Sequence, residues 1–149
     1  MECYAKRDVE IPASSCNEEA DCHRTYHLYF PSVLCGHVPP SHRDLADSSP
    51  ASTEKPDVGT LPLVFAIHCF GCTAESMTSL VAHADSTHVV LVIPEGLNSS
   101  FNAVNCCGYA LENNVDDIGF FRYIQSTLSD EYAFLDQDYS YALGWSNGG

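Results

Sequence analysis

From residue 61 to residue 144 the chain alternates apolar, strand-like runs with segments of helical spacing, and this alternation restricts the fold more than any other feature. LPLVFAIH (61–68) is almost continuously apolar, the pattern of a parallel strand covered on both faces. After the short turn CFGCTAES, a helix is predicted over about 75–85, with Met77, Leu80, Val81 and Ala84 near helical spacing. HVVLVIPEG supplies a strand over 89–93, closed by Pro94 and Gly96. The stretch NSSFNAVNCCGYALENN reads as an irregular connection. A second helix is predicted from about Val115, where Asp116 and Asp117 suit a helix N-terminus by capping or through the dipole, and Ile118, Phe121, Ile124 and Leu128 recur at steps of three and four. YSYALG (139–144) is the last predicted strand. Strand, helix, strand, helix, strand implies an α/β fold: a mostly parallel sheet, flanking helices and right-handed crossovers.

Two further segments precede this core. Residues 1–38 carry four of the eight cysteines and one good strand pattern, RTYHLYF (24–30), in which Tyr26, Leu28 and Phe30 alternate with Thr25, His27 and Tyr29. It reads as an edge or near-edge strand. Residues 39–60 are rich in Pro, Ser, Ala and Asp, with too few large apolar groups to offset the entropy of ordering, and are expected to form a flexible surface loop. Residues 61–149 are then one α/β unit, and the 149-residue length suits a single domain.

Six basic residues stand against twenty acidic ones, a formal charge of -14, which disfavours binding to nucleic acid or to anionic membrane surfaces. Such a charge serves solubility first. No apolar run approaches membrane-spanning length. The eight cysteines (3, 16, 22, 35, 69, 72, 106 and 107) are an even set, as expected of disulfides formed in an oxidising compartment, and they point to a secreted protein. The pairing is open from sequence, with Cys69, Cys72, Cys106 and Cys107 the candidates nearest the functional motif. MECYAKRDVE has no apolar h-region, so it is no signal peptide: either the protein is cytosolic, or secretion implies a longer precursor. Asn98-Ser99-Ser100 has the form of an N-glycosylation acceptor.

The chemistry-bearing motif is GWSNGG (144–149). Gly144-Trp145-Ser146-Asn147-Gly148 matches G-x-S-x-G, in which a serine stands on a sharp turn after a strand, and small residues two before and two after it let the backbone crowd together. Ser146 is the candidate nucleophile. An oxyanion hole needs backbone N–H groups aimed at the charge that develops on a carbonyl oxygen. One is expected from Asn147, the residue after the serine, and another from the loop HCFGC, where Phe70 is the first choice and Cys69 the second. His68, at the end of its strand, reads as a loop-ordering residue and not as the base.

LVFAIHCFGC, VVLVIPEG, FNAVNCCG, NNVDDIGFF and ALGWSNGG, in this order, resemble the secreted esterase family that includes polyhydroxybutyrate depolymerases and the related feruloyl and acetylxylan esterases. The resemblance runs from about residue 61 to 149 and extends weakly to RTYHLYFPS. It implies an α/β-hydrolase fold and ester hydrolysis through an acyl-serine on Ser146, and it makes Asp116 and Asp117 part of a structural block at a helix start. Cys69 stands where the family often has Gly, and Phe101 where Trp is common. Along such chains the triad order is Ser, then Asp or Glu, then His, so both partners of Ser146 are expected beyond Gly149. The chain therefore reads as the N-terminal part of a hydrolase, cut after the nucleophile turn and poorly active alone.

Rival readings start from the same loop. Cys69-Phe70-Gly71-Cys72 is a C-x-x-C between a strand and a helix, the position of a thioredoxin-like redox pair, but that reading leaves GWSNGG unused. A zinc site of Cys69, Cys72, Cys106 and Cys107 is awkward because adjacent side chains diverge, so no metal is expected, nor any cofactor. A non-catalytic binding fragment is the remaining alternative.

Overall fold

The structure, a computed structural model, describes residues 3–12, 16, 22–35 and 59–149. The loop expected over 39–60 therefore falls, up to residue 58, outside the described residues. Five strands form one mixed sheet: β1 (Tyr4–Glu10), β2 (His23–Tyr29), β3 (Leu61–Ile67), β4 (Val90–Pro94) and β5 (Leu135–Gly144). Their order across the sheet is β1-β2-β4-β3-β5. β4, β3 and β5 are mutually parallel, whereas β2 runs antiparallel to both β4 and β1. The parallel part is the portion predicted from the strand-helix alternation; the antiparallel end comes from the cysteine-bearing segment.

The near-continuous apolar runs of β3 and β4 arise because both faces of the sheet are covered. Side chains alternate along a strand. Leu61, Leu63, Phe65 and Ile67 of β3, with Val90 and Val92 of β4 and Tyr26 and Leu28 of β2, join a core with Phe120, Ile124 and Leu128 of the long helix Asp117–Glu131. Ala66 with Leu91 and Ile93 packs on the other face against Ala74, Met77 and Ala84. Those last three belong to a helical segment that begins as a 3-10 helix (Ala74–Leu80) and continues as α1 (Val81–Thr87), so the predicted helix over 75–85 is present with a tighter first half. The result is a sheet sandwiched between two helical layers. Between the layers' connections lies a short helix, α2 (Gly108–Glu112), inside the stretch expected to be irregular. The long helix is α3.

One expectation is corrected here. Ile118 was placed on the apolar face of α3, but it is 58% exposed, and Asp117, Phe120, Ile124 and Leu128 face inward. The cause is Asp117. Its carboxylate accepts from Arg24 of β2 at 2.6 Å and from the Asn102 amide at 2.7 Å, which turns position 117 toward the sheet and position 118 away from it. The guanidinium also lies 4.1 Å from the Phe120 ring centre. Burial pushes the Asp117 pKa up, against the pull of Arg24 and the Asn102 amide. β1, for which the sequence gives no expectation, pairs along its whole length with β2 and leaves β2 the near-edge strand.

All eight cysteines are bridged: Cys3–Cys35, Cys16–Cys22, Cys69–Cys72 and Cys106–Cys107. Among the described residues no helix is long and apolar enough to cross a membrane.

Candidate active site

The C-terminal ends of β3, β4 and β5 open on the same side of the sheet, the place where α/β folds bind ligands. Three loops meet there: 68–73 after β3, 95–107 after β4, and the 3-10 turn Ser146–Gly148 after β5.

The turn after β5 has the shape the motif requires. Ser146 adopts φ 56°, in the left-handed region that a residue with a side chain enters only at some cost. Trp145 is extended, and its N–H donates to the Ile67 carbonyl at 3.1 Å, holding the turn against the end of β3. The glycines are required by close approach: a Cβ on Gly144 would strike the Gly148 carbonyl, and one on Gly148 would strike the carbonyls of Ile67 and His68. Ser146 is exposed at the crest of this bend.

His68 is fully buried with both ring nitrogens engaged. Nδ1 lies 2.8 Å from the Cys69 carbonyl and Nε2 accepts from the Gly96 N–H at 3.0 Å, which fixes the Nδ1–H tautomer. A ring held in this way orders loops, as expected for this residue, and has no free nitrogen to act as a base. Glu95 continues the tie, accepting from the Ala74 N–H at 2.9 Å at the head of the first helical segment. Gly71 N–H donates to the Ser99 carbonyl at 2.8 Å, so the loop after β3 is bound to the loop after β4 at several points. Cys69 and Phe70 sit in the first of these loops, and the Phe70 N–H is bonded to none of the described residues. The Phe70 ring is 52% exposed and lies over Gly108.

Cys69 pairs with Cys72, and Cys106 with Cys107, so each bridge closes its own loop and neither joins the two. What joins them is the Gly71–Ser99 and Gly96–His68 hydrogen bonds, and the Asn147 side chain ties the turn after β5 to the second of these loops. Asn147 is 5% exposed; its Oδ1 accepts from the Phe101 N–H at 2.8 Å, while its Nδ2 donates to the carbonyls of Phe101 at 2.8 Å and Cys106 at 3.2 Å. Sequence reading gives Asn147 only a backbone role and does not anticipate the three hydrogen bonds of its side chain. The one available signal is a carboxamide at a position that the G-x-S-x-G pattern leaves free. Phe101, buried against His68 with ring centres 4.7 Å apart, was likewise noticed only as a departure from a family pattern. Asp116 and Asp117 lie at the start of α3, engaged in capping and in the Arg24 pair, and take no part in the crest around Ser146.

Two serine hydrolase structures from Staphylococcus aureus share this architecture. The fluorophosphonate-binding serine hydrolase FphF, solved with substrate bound, superposes with a TM-score of 0.59 at 14% identity over 99% of this chain and 48% of its own. The S-formylglutathione hydrolase FrmB, solved as the apoenzyme, gives a TM-score of 0.55 at 11% identity over 97% of this chain and 47% of its own. The chain thus spans about half the length of these solved structures. No protein-family model and no curated protein matches it. The fold is α/β-hydrolase-like.

Proposed function

We propose that this chain carries the nucleophile part of a secreted serine ester hydrolase, with Ser146 as the attacking group. The observation that carries the reading is the backbone of Ser146: a left-handed residue at the crest of a strand-to-helix bend whose flanking glycines touch neighbouring carbonyls. A plain surface turn does not need that crowding. In the reaction, Ser146 Oγ adds to the ester carbonyl carbon and gives its proton to a base, the bond to the leaving alcohol oxygen breaks, and water then hydrolyses the acyl-serine. The N–H groups of Phe70 and Asn147, with Cys69 the substitute on the β3 side, receive the oxyanion. His68 is excluded as the base by its two engaged nitrogens. The triad acid and base are assigned to no described residue of this chain. Polyester, feruloyl and acetyl esters are the substrate classes that the sequence resemblance suggests. Four disulfides support an extracellular setting.

Reaction of the full-length protein, acid and base included, with a fluorophosphonate, followed by peptide mass analysis, tests this directly. A phosphonyl adduct on Ser146, lost in Ser146→Ala together with p-nitrophenyl acetate turnover, is the expected result. Turnover that survives the substitution, or an adduct on another residue, rules the serine out.

A further inference from the structure

The hydrolase reading uses Asn147 for its backbone N–H alone, yet its buried side chain makes three hydrogen bonds. We propose that the Asn147 carboxamide is a positioning group that keeps both halves of the oxyanion site in register; the inference rests on that reading.

The two proposed donors lie on different loops, Asn147 after β5 and Phe70 after β3, and no covalent bridge connects those loops. The carboxamide connects them by two routes. Through Nδ2 it holds the Cys106 carbonyl, and two residues further along the chain is Gly108, whose Cα lies under the Phe70 ring so closely that a Cβ would collide with it. Through its paired bonds to the N–H and C=O of Phe101, it mimics a neighbouring strand and locks its own torsions. Phe101 packs on His68, and the His68 ring holds the Cys69 carbonyl, the peptide that contains the Phe70 N–H. Both routes therefore end at Phe70, the first at its ring and the second at its peptide. An oxyanion donor is effective only when aimed at the place the charge will occupy, with tolerances well under an ångström. One side chain that braces its own amide and the opposing loop meets that requirement without a covalent tie.

Asn147→Asp separates this role from simple packing. It keeps the shape and the acceptor toward Phe101 N–H, but replaces both donations with a negative charge facing two carbonyl oxygens. In the full-length protein, fluorophosphonate capture at Ser146 is expected to lose about 10- to 100-fold in the limiting rate of adduct formation, less than the outright removal of a donor. The concentration for half-maximal rate should stay unchanged. Hydrogen exchange at the Gly71 amide, which reports on the opposite loop, should accelerate. Gly108→Ala, which pushes Phe70 from the other end, should reproduce the loss of limiting rate even if the Asp variant fails to fold. A wild-type limiting rate in either folded variant, or faster exchange confined to residues 101–106 in Asn147→Asp, overturns the proposal. If wild-type Ser146 takes no label while Gly71 exchange responds to the Asp substitution, the brace stands and the hydrolase reading falls.

Discussion

Tyr26 illustrates how far a single residue's surroundings depart from what its place in the sequence suggests. Its alternation with Thr25 and His27 predicted an inward-facing strand residue, and it is fully buried, edge-on to Phe120 with ring centres 6.5 Å apart. Burial pushes its pKa from 10.0 up to about 12, with Arg7 pulling the other way. A phenol whose folded pKa lies above its unfolded value contributes stability that is fully present below pH 10 and is lost as pH rises through about 12. The expected loss from this group alone is roughly 2–3 kcal/mol. Urea unfolding followed by circular dichroism at pH 9 and pH 11.5 should show the drop, and Tyr26→Phe should reduce it, the remainder coming from Tyr132 and Tyr4, whose pKa values burial also raises. The same scale holds the limits of sequence reading at the candidate site. Ser146 was legible because glycine spacing is a local steric demand, whereas the partners of the Asn147 carboxamide, 41 and 46 residues away, left no mark in the pattern around it.

At the start of α3 two adjacent aspartates do different work, and only the element as a whole explains it. Asp116 caps the helix, its Oδ1 accepting from the Gly119 N–H at 2.8 Å on the exposed side. Asp117, one position on, is buried under the sheet with Arg24 and the Asn102 amide. Asp116→Ala should cost about 1 kcal/mol, the usual worth of a cap. Asp117→Ala should cost roughly 3–5 kcal/mol, because the Arg24 charge would be left buried without its partner. Denaturant titration of the two variants side by side checks the contrast; equal effects would contradict the assignment. Helix α3 and strands β3 and β4 were legible because their apolar periodicity spans several turns or a full strand. β1 was not. YAKRDVE shows no apolar face on its own, and becomes a strand by pairing with β2 while Arg7 reaches across to Glu131 and the Tyr132 hydroxyl at 2.6 and 2.7 Å. Helix α2 is five residues long, too short for a periodic signal, and is held by the Ser100 hydroxyl accepting from the Ala110 N–H.

For the molecule as a whole, the decisive feature is where the sheet ends. β5 is the last strand on its side among the described residues. Its register with β3, Val64 opposite Tyr141 and Ala66 opposite Leu143, turns the odd positions toward the face that carries α1. Helical cover does not extend that far, and Tyr139, Tyr141 and Leu143 stay 54%, 56% and 42% exposed. An apolar stripe on an open edge strand is a template for association. The isolated chain should therefore sediment as concentration-dependent oligomers, and Leu143→Lys should shift it toward monomer; sedimentation of the variant identical to that of the parent would place the contact elsewhere. By itself the sequence determined the strand-helix alternation, the sharp bend at Ser146 and the ordering role of His68, since each follows from periodicity or sterics within a few residues. Only the tertiary structure decided the antiparallel end of the sheet, the pairing of the cysteines, the inward turn of Asp117 and the hydrogen-bond partners of the Asn147 side chain. Each of these depends on which distant segments lie side by side, and that adjacency is settled by packing two helical layers on one sheet.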